Sequence, residues 1–313
     1  MKVLVTGAAG MLGSSLVPEL VRAGHDVTAT DLNVGVLGGW KGVELVRAVL
    51  DVRSPDDVEE GFAIRPEMVL HLAAETDLEV CETDPDGAYE TNALGTKFVA
   101  LASQRHGVPM VYISTAGVFD GTKEAPYTEF DDPNPINVYG RSKFEGERYV
   151  QWLLDRFYIV RAGWMVGGGV VDHKFVGHIV AQLSEGRRTV HAVSDKLGTP
   201  TYAPDFSRGL CRLIGSGSYG LYHMASVGSA SRFDVARHIL DVLGRDDVEL
   251  VEVGSEFFHE RFFAPRPRSE VMRNLVLDLQ GMNVMRPWED SIADYLHENF
   301  SDAPVWAEMA LPA

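Results

Sequence analysis

The feature that most constrains the fold is an alternation of short apolar runs with helix-like segments over the first 165 residues. The runs are KVLVT (2–6), DVTATD (26–31), ELVRAVLDV (44–52), MVLHLAA (68–74), MVYIST (110–115) and FYIVRAG (157–163). Apolar residues recur at helical spacing between them, and one such pattern extends over roughly 84–106. Runs rich in Val and Ile that alternate with helices are typical of a parallel sheet covered on both faces. The alternation therefore predicts an α/β fold built on a doubly wound parallel sheet.

Three glycines lie between the first apolar run and the first helical segment. They occur in GAAGMLG as Gly7, Gly10 and Gly13, with Met11 and Leu12 between the last two. Glycine permits a tight turn and lets a pyrophosphate approach the backbone N–H groups at a helix N-terminus. The spacing is GxxGxxG rather than the commoner GxGxxG, but its place at the first strand–helix turn is the required one. The motif therefore predicts a Rossmann-type dinucleotide site.

A carboxylate at the end of the second run indicates which dinucleotide binds. Asp31 lies 18 residues past Gly13, where a carboxylate can accept hydrogen bonds from the adenosine ribose hydroxyls of NAD. The same charge repels the 2′-phosphate of NADP, and neither Leu32 nor Asn33 supplies a cation for it. We therefore expect NAD(H) to be the favoured cofactor, with NADP(H) as the alternative.

The alternation weakens beyond about residue 165, which predicts a second part of the chain. Helical patterns recur there near 171–184, 204–214, 231–243 and 288–298. We predict an NAD(P)-binding Rossmann domain over 1–165 and a smaller C-terminal α/β lobe over 166–313 that binds the substrate. Some segments of this part of the chain can belong to the first domain.

Charge and cysteine content exclude several classes of partner. The chain has 28 Lys and Arg against 45 Asp and Glu, a formal net charge of −17. Such a charge repels phosphate backbones and anionic membranes, so we expect no nucleic-acid or membrane partner. Cys81 and Cys211 have no disulfide or metal-site spacing, and the first residues lack the apolar core of a signal peptide. These features predict a cytoplasmic protein.

A tyrosine and a lysine in VYGRSKFEGE (138–147) are candidates for acid–base chemistry. Tyr139 and Lys143 are four positions apart, so on a helix they lie on one face. An ammonium at Lys143, together with the positive charge of an oxidised nicotinamide, would favour the phenolate, which predicts a lowered pKa for Tyr139. Taken alone, this spacing is more often that of an ordinary aromatic residue beside a solvated lysine. The long loop over 116–137, which precedes this helix, is of a kind that carries functional residues.

Together, the motifs resemble those of the extended short-chain dehydrogenase/reductases, and within that group the dTDP-4-dehydrorhamnose reductase family. The resemblance covers nearly the whole chain in order. It is carried by GAAGMLG (7–13), Asp51-Val52, HLAA (71–74), STAGVFDG (114–121), NPINVYGRSKFEGE (134–147), GTPTYAPDFSRGL (198–210), GLYHMASVGSAS (220–231) and RPRSEVMRN (266–274).

The resemblance implies a catalytic triad of Thr115, Tyr139 and Lys143. Tyr139 would protonate the substrate carbonyl oxygen, Thr115 would hydrogen-bond the same oxygen, and Lys143 would also hold the nicotinamide ribose. The implied cofactor contacts beyond the glycine motif and Asp31 are Asp51, Val52, Leu72, Ala73, Ala74, Tyr139 and Lys143.

Five further residues are implied on the substrate side, namely Thr76, Asp77, Ala116, Trp164 and Arg266. Trp164 matches a sugar-contacting tryptophan of the family, and the planar guanidinium of Arg266 suits a nucleotide pyrophosphate. Structural alternatives stay open for them, since the same residue types serve as a core Trp, a capping pair and a surface Arg.

The chain also departs from the family it resembles. Ala116 and Gly117 follow Thr115 where the closest reductases carry an Asp-Tyr pair and the 4,6-dehydratases an Asp-Glu pair. No carboxylate therefore stands ready for water elimination, and the substrate is left open. Ser15 occupies the place of a carboxylate that holds magnesium at a dimer contact in some members, and no HExxH or Cys/His cluster occurs. We expect no metal.

These features predict an NAD(P)-dependent oxidoreductase that reduces the 4-keto group of a nucleotide-linked 4-keto-6-deoxy sugar. One alternative is a sugar-nucleotide epimerase that retains its NAD, which needs the same motifs. Another is a non-catalytic regulatory subunit of the methionine adenosyltransferase beta type, which does not need an intact triad. The resemblance implies a nucleotide-sugar partner and allows a homodimer.

Overall fold

A single parallel sheet organises the fold. The structure, a computed structural model, describes residues 1–36, 46–169, 172 and 174–300. Its strands are β1 (Lys2–Thr6), β2 (Asp26–Asp31), β3 (Val46–Val49), β4 (Met68–His71), β5 (Met110–Thr115), β6 (Phe157–Ala162), β7 (Trp164–Val166), β8 (Thr189–Val193), β9 (Leu197–Gly198), β10 (Pro200–Tyr202), β11 (Gly220–Met224), β12 (Ala230–Ser231) and β13 (Glu249–Val253). Seven of them pair in parallel in the order β11-β6-β5-β4-β1-β2-β3. The first two residues of the run predicted over 44–52 lie outside the described residues.

Both faces of the central strands of this sheet are buried, which explains why these strands read as continuous apolar runs, whereas the edge strand β3 is exposed. In β1, Val3 and Val5 belong to one core cluster, whereas Leu4 belongs to the cluster on the opposite face. Successive strand residues point to opposite faces, so a strand covered on both sides needs apolar residues throughout. The predicted Rossmann-type, doubly wound fold is confirmed. The strand order reverses between β1 and β4, and such sheets bind ligands at the carboxyl ends of the strands there.

Some helices of the described residues cover the two faces of the sheet, and others pack elsewhere. The helices are α1 (Met11–Arg22), α2 (Pro55–Gly61), α3 (Leu78–Thr83), α4 (Pro85–Tyr89), α5 (Thr96–His106), α6 (Val138–Leu153), α7 (Phe175–Ser184), α8 (Ala203–Ser216), α9 (Arg232–Val242), α10 (Leu275–Leu279) and α11 (Trp288–Phe300). α1 packs with α8 on one face, and α2, α5 and α6 pack on the other. Within the described ranges, no helix combines the length and apolarity needed to cross a bilayer.

The helical pattern predicted over 84–106 is interrupted in the structure. α4 and α5 are joined by a π-helical segment, Glu90–Gly95, which packs against α6. Gly95 lies so close to Val52 that a Cβ there would be 2.9 Å from Val52 Cγ2. Apolar spacing over so few residues does not distinguish an i→i+5 from an i→i+4 hydrogen-bond pattern, so the sequence predicts one continuous α-helix.

The elements after β6 include a smaller group with its own core. β7 pairs in parallel with β10 and β8 with β13, while β9 and β12 are antiparallel. α7, α9 and α11 contribute Val180, Ile239 and Leu296 to an apolar cluster separate from those of the main sheet. Between them the chain returns to the main sheet, where α8 packs on α1 and β11 pairs with β6. The division into domains at residue 165 remains a prediction.

Candidate active site

The turn between β1 and α1 is shaped by its three glycines. Gly7 has φ +71°, and a Cβ there would lie 2.4 Å from the backbone nitrogen of Ala73. A Cβ at Gly13 would lie 2.3 Å from the carbonyl oxygen of Ala8, so both positions exclude a side chain. Gly10 is different, because a Cβ there would meet only the Gly7 carbonyl oxygen, at 3.4 Å. The open space above the N-terminus of α1 fits a pyrophosphate that approaches the backbone N–H groups.

Asp31 joins this turn to the end of β2. Its Oδ2 accepts a hydrogen bond from Ala9 N and its Oδ1 accepts one from Asn33 N, both at 3.0 Å. Each carboxylate oxygen can accept more than one hydrogen bond, so these contacts orient Asp31 and leave acceptor capacity for ribose hydroxyls. The structure thus places the carboxylate beside the glycine turn, and its role in choosing NAD stays a prediction.

Five other predicted cofactor residues follow β3 and β4, the strands on either side of the β1–β2 pair. Leu72 N donates to the carbonyl oxygen of Thr6, which aligns Leu72, Ala73 and Ala74 with the carboxyl end of β1. Val52 is buried, whereas Asp51 is partly exposed and forms an ion pair with Arg53 at 2.7 Å. The hydrogen bond from Arg53 lowers the pKa of Asp51, so this carboxylate is ionised at neutral pH.

The start of α6 lies directly on the turn that follows β5. Thr115 is the last residue of β5, and its Oγ1 accepts a hydrogen bond from Gly117 N at 3.0 Å. A Cβ at Gly140 would lie 2.1 Å from the Gly117 carbonyl oxygen, so only glycine permits this approach of helix to turn. Asn137 caps the helix by accepting a hydrogen bond from Gly140 N at 2.7 Å. The packing brings Tyr139, the second residue of α6, to Thr115.

The Tyr139 phenol is protonated at neutral pH. Burial raises the pKa of Tyr139 to about 12, and the hydrogen-bonding Thr115 hydroxyl opposes this rise. The direction is opposite to the one predicted from the positive charges of Lys143 and the nicotinamide, because removing a phenolate from water is costly and the nearby acidic groups Glu270 and Glu75 also raise the pKa. A protonated phenol is the form that can donate a proton to a substrate oxygen.

Lys143 is buried one helical turn after Tyr139. The residue is 3% exposed, and its Nζ lies 4.2 Å from the ring centroid of Tyr112. Tyr112 also donates its hydroxyl hydrogen to the Lys143 carbonyl oxygen at 3.1 Å. Burial lowers the pKa of Lys143 to about 7, and the negative charge of Glu147 opposes this effect. The ammonium therefore titrates near neutral pH.

Below Lys143 lies a buried ion pair that the sequence reasoning missed. Glu147 accepts hydrogen bonds from Arg161 Nε at 2.9 Å and from Arg161 Nη2 at 2.7 Å, and Ser114 also donates to it. The Arg161 and Glu147 side chains are only 2% and 1% exposed. The signal was present, since an arginine inside the apolar run FYIVRAG requires a buried partner. Glu147 follows Lys143 by four positions and lies on the same helical face.

Asn92, in the π-helical segment, connects α6 to the loop after β4. Its Oδ1 accepts a hydrogen bond from Glu75 N, and its Nδ2 donates to the Glu75 carbonyl oxygen and to Ser142 Oγ. Asn92 is fully buried, and these contacts hold the loop after β4 against α6.

The predicted substrate residues have different local contacts in the structure. Asp77 caps α3 by accepting a hydrogen bond from Val80 N, and the exposed Thr76 lies 3.4 Å from Lys174 Nζ. Arg266 forms an ion pair with Glu79 at 2.8 Å. Ala116 is buried in a small apolar cluster.

Trp164 contacts two residues that the sequence reasoning did not single out. Its Nε1 donates to Glu270 Oε2 at 2.6 Å. The guanidinium carbon of Arg232 lies 3.8 Å from the Trp164 ring centroid. Both partners are distant in sequence, so no local spacing connects them with Trp164. Among the described residues, no three His, Cys, Asp or Glu side chains are grouped so that they could hold a metal ion.

The chain is similar to known proteins along almost its full length. A family model described as the RmlD substrate binding domain matches residues 1–300. The chain is 31% identical over 301 residues to the spore coat polysaccharide biosynthesis protein SpsK of Bacillus subtilis, covering 96% of this chain and 98% of that protein. It is 30% identical over 295 residues to dTDP-4-dehydrorhamnose reductase of Mycolicibacterium smegmatis, covering 94% and 84%. A dTDP-4-dehydrorhamnose reductase from Bacillus anthracis, solved in complex with NADP, superposes with a TM-score of 0.85 at 34% identity, covering 95% of this chain and 99% of that chain.

Proposed function

The chain belongs to the RmlD substrate-binding domain family, and from this premise we propose that this NAD(P)-dependent oxidoreductase reduces the 4-keto group of a nucleotide-linked 4-keto-6-deoxy sugar. The observation that carries the proposal is the close packing of α6 on the Thr115 turn, which brings the Tyr139 phenol to Thr115 with Lys143 one helical turn away. Because a similar protein is named as a dTDP-4-dehydrorhamnose reductase, a dTDP-linked sugar is the first substrate to test.

In the proposed reaction, two hydroxyl groups act on the substrate carbonyl oxygen. Thr115 Oγ1 accepts a hydrogen bond from Gly117 N, so its hydroxyl hydrogen, which bonds Tyr139 in the free protein, would turn to the carbonyl oxygen and orient it. When bound, the reduced nicotinamide supplies the hydride that the carbonyl carbon receives. Tyr139 donates its proton to the oxygen as negative charge develops there. The product is the 4-hydroxy sugar.

Lys143 acts through Tyr139 and through the cofactor. In its ammonium form it stabilises the tyrosinate left after proton transfer, and it would hold the nicotinamide ribose when the cofactor is bound. Because burial lowers the pKa of Lys143 to about 7, the ammonium is the major form only below that pH. Glu147, held by Arg161, favours this charged form.

The proposed cofactor preference is for NADH over NADPH. It rests on Asp31, whose carboxylate lies beside the glycine turn and is oriented by Ala9 N and Asn33 N. The relative from Bacillus anthracis was solved with NADP, so both reduced cofactors belong in the assay.

The test is the consumption of NADH or NADPH with a panel of dTDP-4-keto-6-deoxy sugars, with products identified by NMR. Tyr139→Phe should lower kcat by about 100- to 10,000-fold, because it removes the general acid. Tyr149→Phe is the matched control on the same helix, and it should retain full activity. Normal turnover by Tyr139→Phe would contradict the mechanism. Tightly retained NAD with no net consumption of NADH would instead indicate an epimerase, and no turnover of any sugar nucleotide would favour the regulatory role.

A further inference from the structure

One carboxylate near the triad has no part in the proposed reaction. Glu270 belongs to the segment over 266–274, yet its side chain reaches the turn after β5. A Cβ added at Gly117 would lie 3.5 Å from Glu270 Oε1 and 3.4 Å from Thr115 Oγ1. Both oxygens are measured from one point, so they flank a single small space above Gly117. That space adjoins the hydroxyl that orients the substrate carbonyl.

Glu270 is held in this position by Trp164. The indole Nε1 donates to Glu270 Oε2 at 2.6 Å, and Trp164 is itself fixed on two sides. The Arg232 guanidinium lies 3.8 Å from its ring centroid, and a Cβ at Gly198 would lie 2.1 Å from Trp164 Cε2. An indole fixed in this way orients the carboxylate, so the direction in which Glu270 offers its second oxygen is determined by the protein.

The second oxygen of Glu270 is available to a ligand. In the part of the chain that the structure describes, no hydrogen bond or ion pair engages Oε1, the oxygen that faces the space above Gly117. Ala116 is buried in a core cluster and Gly117 has no side chain, so neither residue brings a polar group to this space. When a bound substrate excludes water from this space, Oε1 needs a hydrogen-bond donor, and a hydroxyl of the substrate can supply it.

We propose that Glu270 positions the substrate by accepting a hydrogen bond from the hydroxyl on the carbon next to the reacting carbonyl, an inference that rests on the proposed function. In a 4-keto-6-deoxy pyranose, one neighbour of C4 is C5, which carries the ring oxygen and the methyl group. The other neighbour is C3, which carries a hydroxyl. Only the C3 hydroxyl can donate from a position adjacent to the carbonyl. The preferred substrates are therefore 3-hydroxy-4-keto sugars, and their 3-deoxy counterparts are discriminated against.

The experiment compares dTDP-4-keto-6-deoxyglucose with its 3-deoxy analogue, using the full-length protein. The measured quantity is kcat/KM for the 3-hydroxy substrate divided by kcat/KM for the 3-deoxy analogue. Glu270→Ala should lower this ratio by about 10- to 100-fold, because a hydrogen bond to a charged acceptor is lost only with the hydroxylated substrate. Glu270→Gln, which can still accept from Trp164, should lower it less. Glu252→Gln, an exposed glutamate on β13, is the control and should leave it unchanged.

Because Glu270 also contacts Trp164, a purely structural role would reduce activity with both substrates equally, and that result would overturn the inference. An unchanged ratio in Glu270→Ala would overturn it as well. The affinities of the two 4-hydroxy products, measured by calorimetry in the presence of NAD⁺ or NADP⁺, test the same hydrogen bond without turnover, since Glu270→Ala should lower their ratio as well. A wild-type protein that binds both products but reduces neither substrate refutes the proposed function, while the affinity ratio still decides the role of Glu270. Binding of neither product refutes both.

Discussion

Removing the charge of Glu147 should destabilise the protein far more than removing that of an exposed glutamate on the same helix. In Glu147→Gln, the Arg161 guanidinium keeps its charge but loses its carboxylate partner, and its side chain is only 2% exposed. Its remaining contacts are weak, namely the Phe119 ring at 5.2 Å and His223 Nε2 at 3.4 Å. Burial, together with the charge of Arg161, lowers the pKa of His223 to about 3, so the imidazole is neutral and cannot replace the lost charge.

The size of the effect follows from the burial of both partners. Leaving one charge of a buried pair without its partner costs about 3–5 kcal/mol of unfolding free energy. Replacing both partners leaves no unpaired charge, so Glu147→Gln/Arg161→Met should be less destabilised than the sum of the single variants by at least about 2 kcal/mol. Glu145→Gln breaks a pair with Arg148 on the same helix, where the side chains are 34% and 42% exposed. This control should cost about 0.5 kcal/mol or less.

The assay is urea unfolding of the four variants and the wild type, followed by circular dichroism and tryptophan fluorescence. A cost of less than about 1 kcal/mol for Glu147→Gln would refute the reasoning, because a loss of that size is typical of an exposed pair. A double variant whose cost equals the sum of the two single costs would refute it too. A further consequence concerns catalysis. Without the Glu147 charge the pKa of Lys143 should fall further, so the pH at which its ammonium is lost should decrease.

Three further predictions concern the glycine turn, the Asp31 carboxylate and the carboxylate of Glu270. Gly7→Ala should weaken cofactor binding and lower the free energy of unfolding by about 1–3 kcal/mol, since its Cβ would meet the Ala73 backbone. The control Gly107→Ala has a similar positive φ and open surroundings, so it should lose only about 1 kcal/mol and retain cofactor binding. Cofactor titration and urea unfolding measure the two effects. Asp31→Ser should raise the NADPH-to-NADH ratio of kcat/KM by at least about tenfold, and an unchanged ratio would contradict the cofactor assignment. Burial raises the pKa of Glu270 above 4.5, and the hydrogen bond from Trp164 and nearby positive charges oppose this rise. The value of kcat/KM for the 3-hydroxy substrate should therefore fall as the pH drops through the raised pKa. This decrease at acidic pH should be absent in Glu270→Gln.

Much of the fold and the central part of the site can be predicted from the sequence because they depend on local rules. Apolar runs without polar alternation indicate strands buried on both faces, as Val3, Leu4 and Val5 are. The glycines of the first turn indicate a backbone that passes close to another chain segment and to a ligand. A spacing of four places Tyr139 and Lys143 on one face of a helix before any tertiary contact is known.

The sequence by itself thus determined which residues lie at the carboxyl ends of the strands and which share a helical face. Only the tertiary structure decided their electrostatic state, because desolvation depends on what packs around a group rather than on its neighbours in the chain. It is burial that raises the pKa of Tyr139 to about 12 and lowers that of Lys143 to about 7, although the charges of Lys143 and the nicotinamide predicted a lowered tyrosine pKa. The same holds for Glu270, since its position beside Thr115 results from the packing of a distant segment, and no local spacing records it.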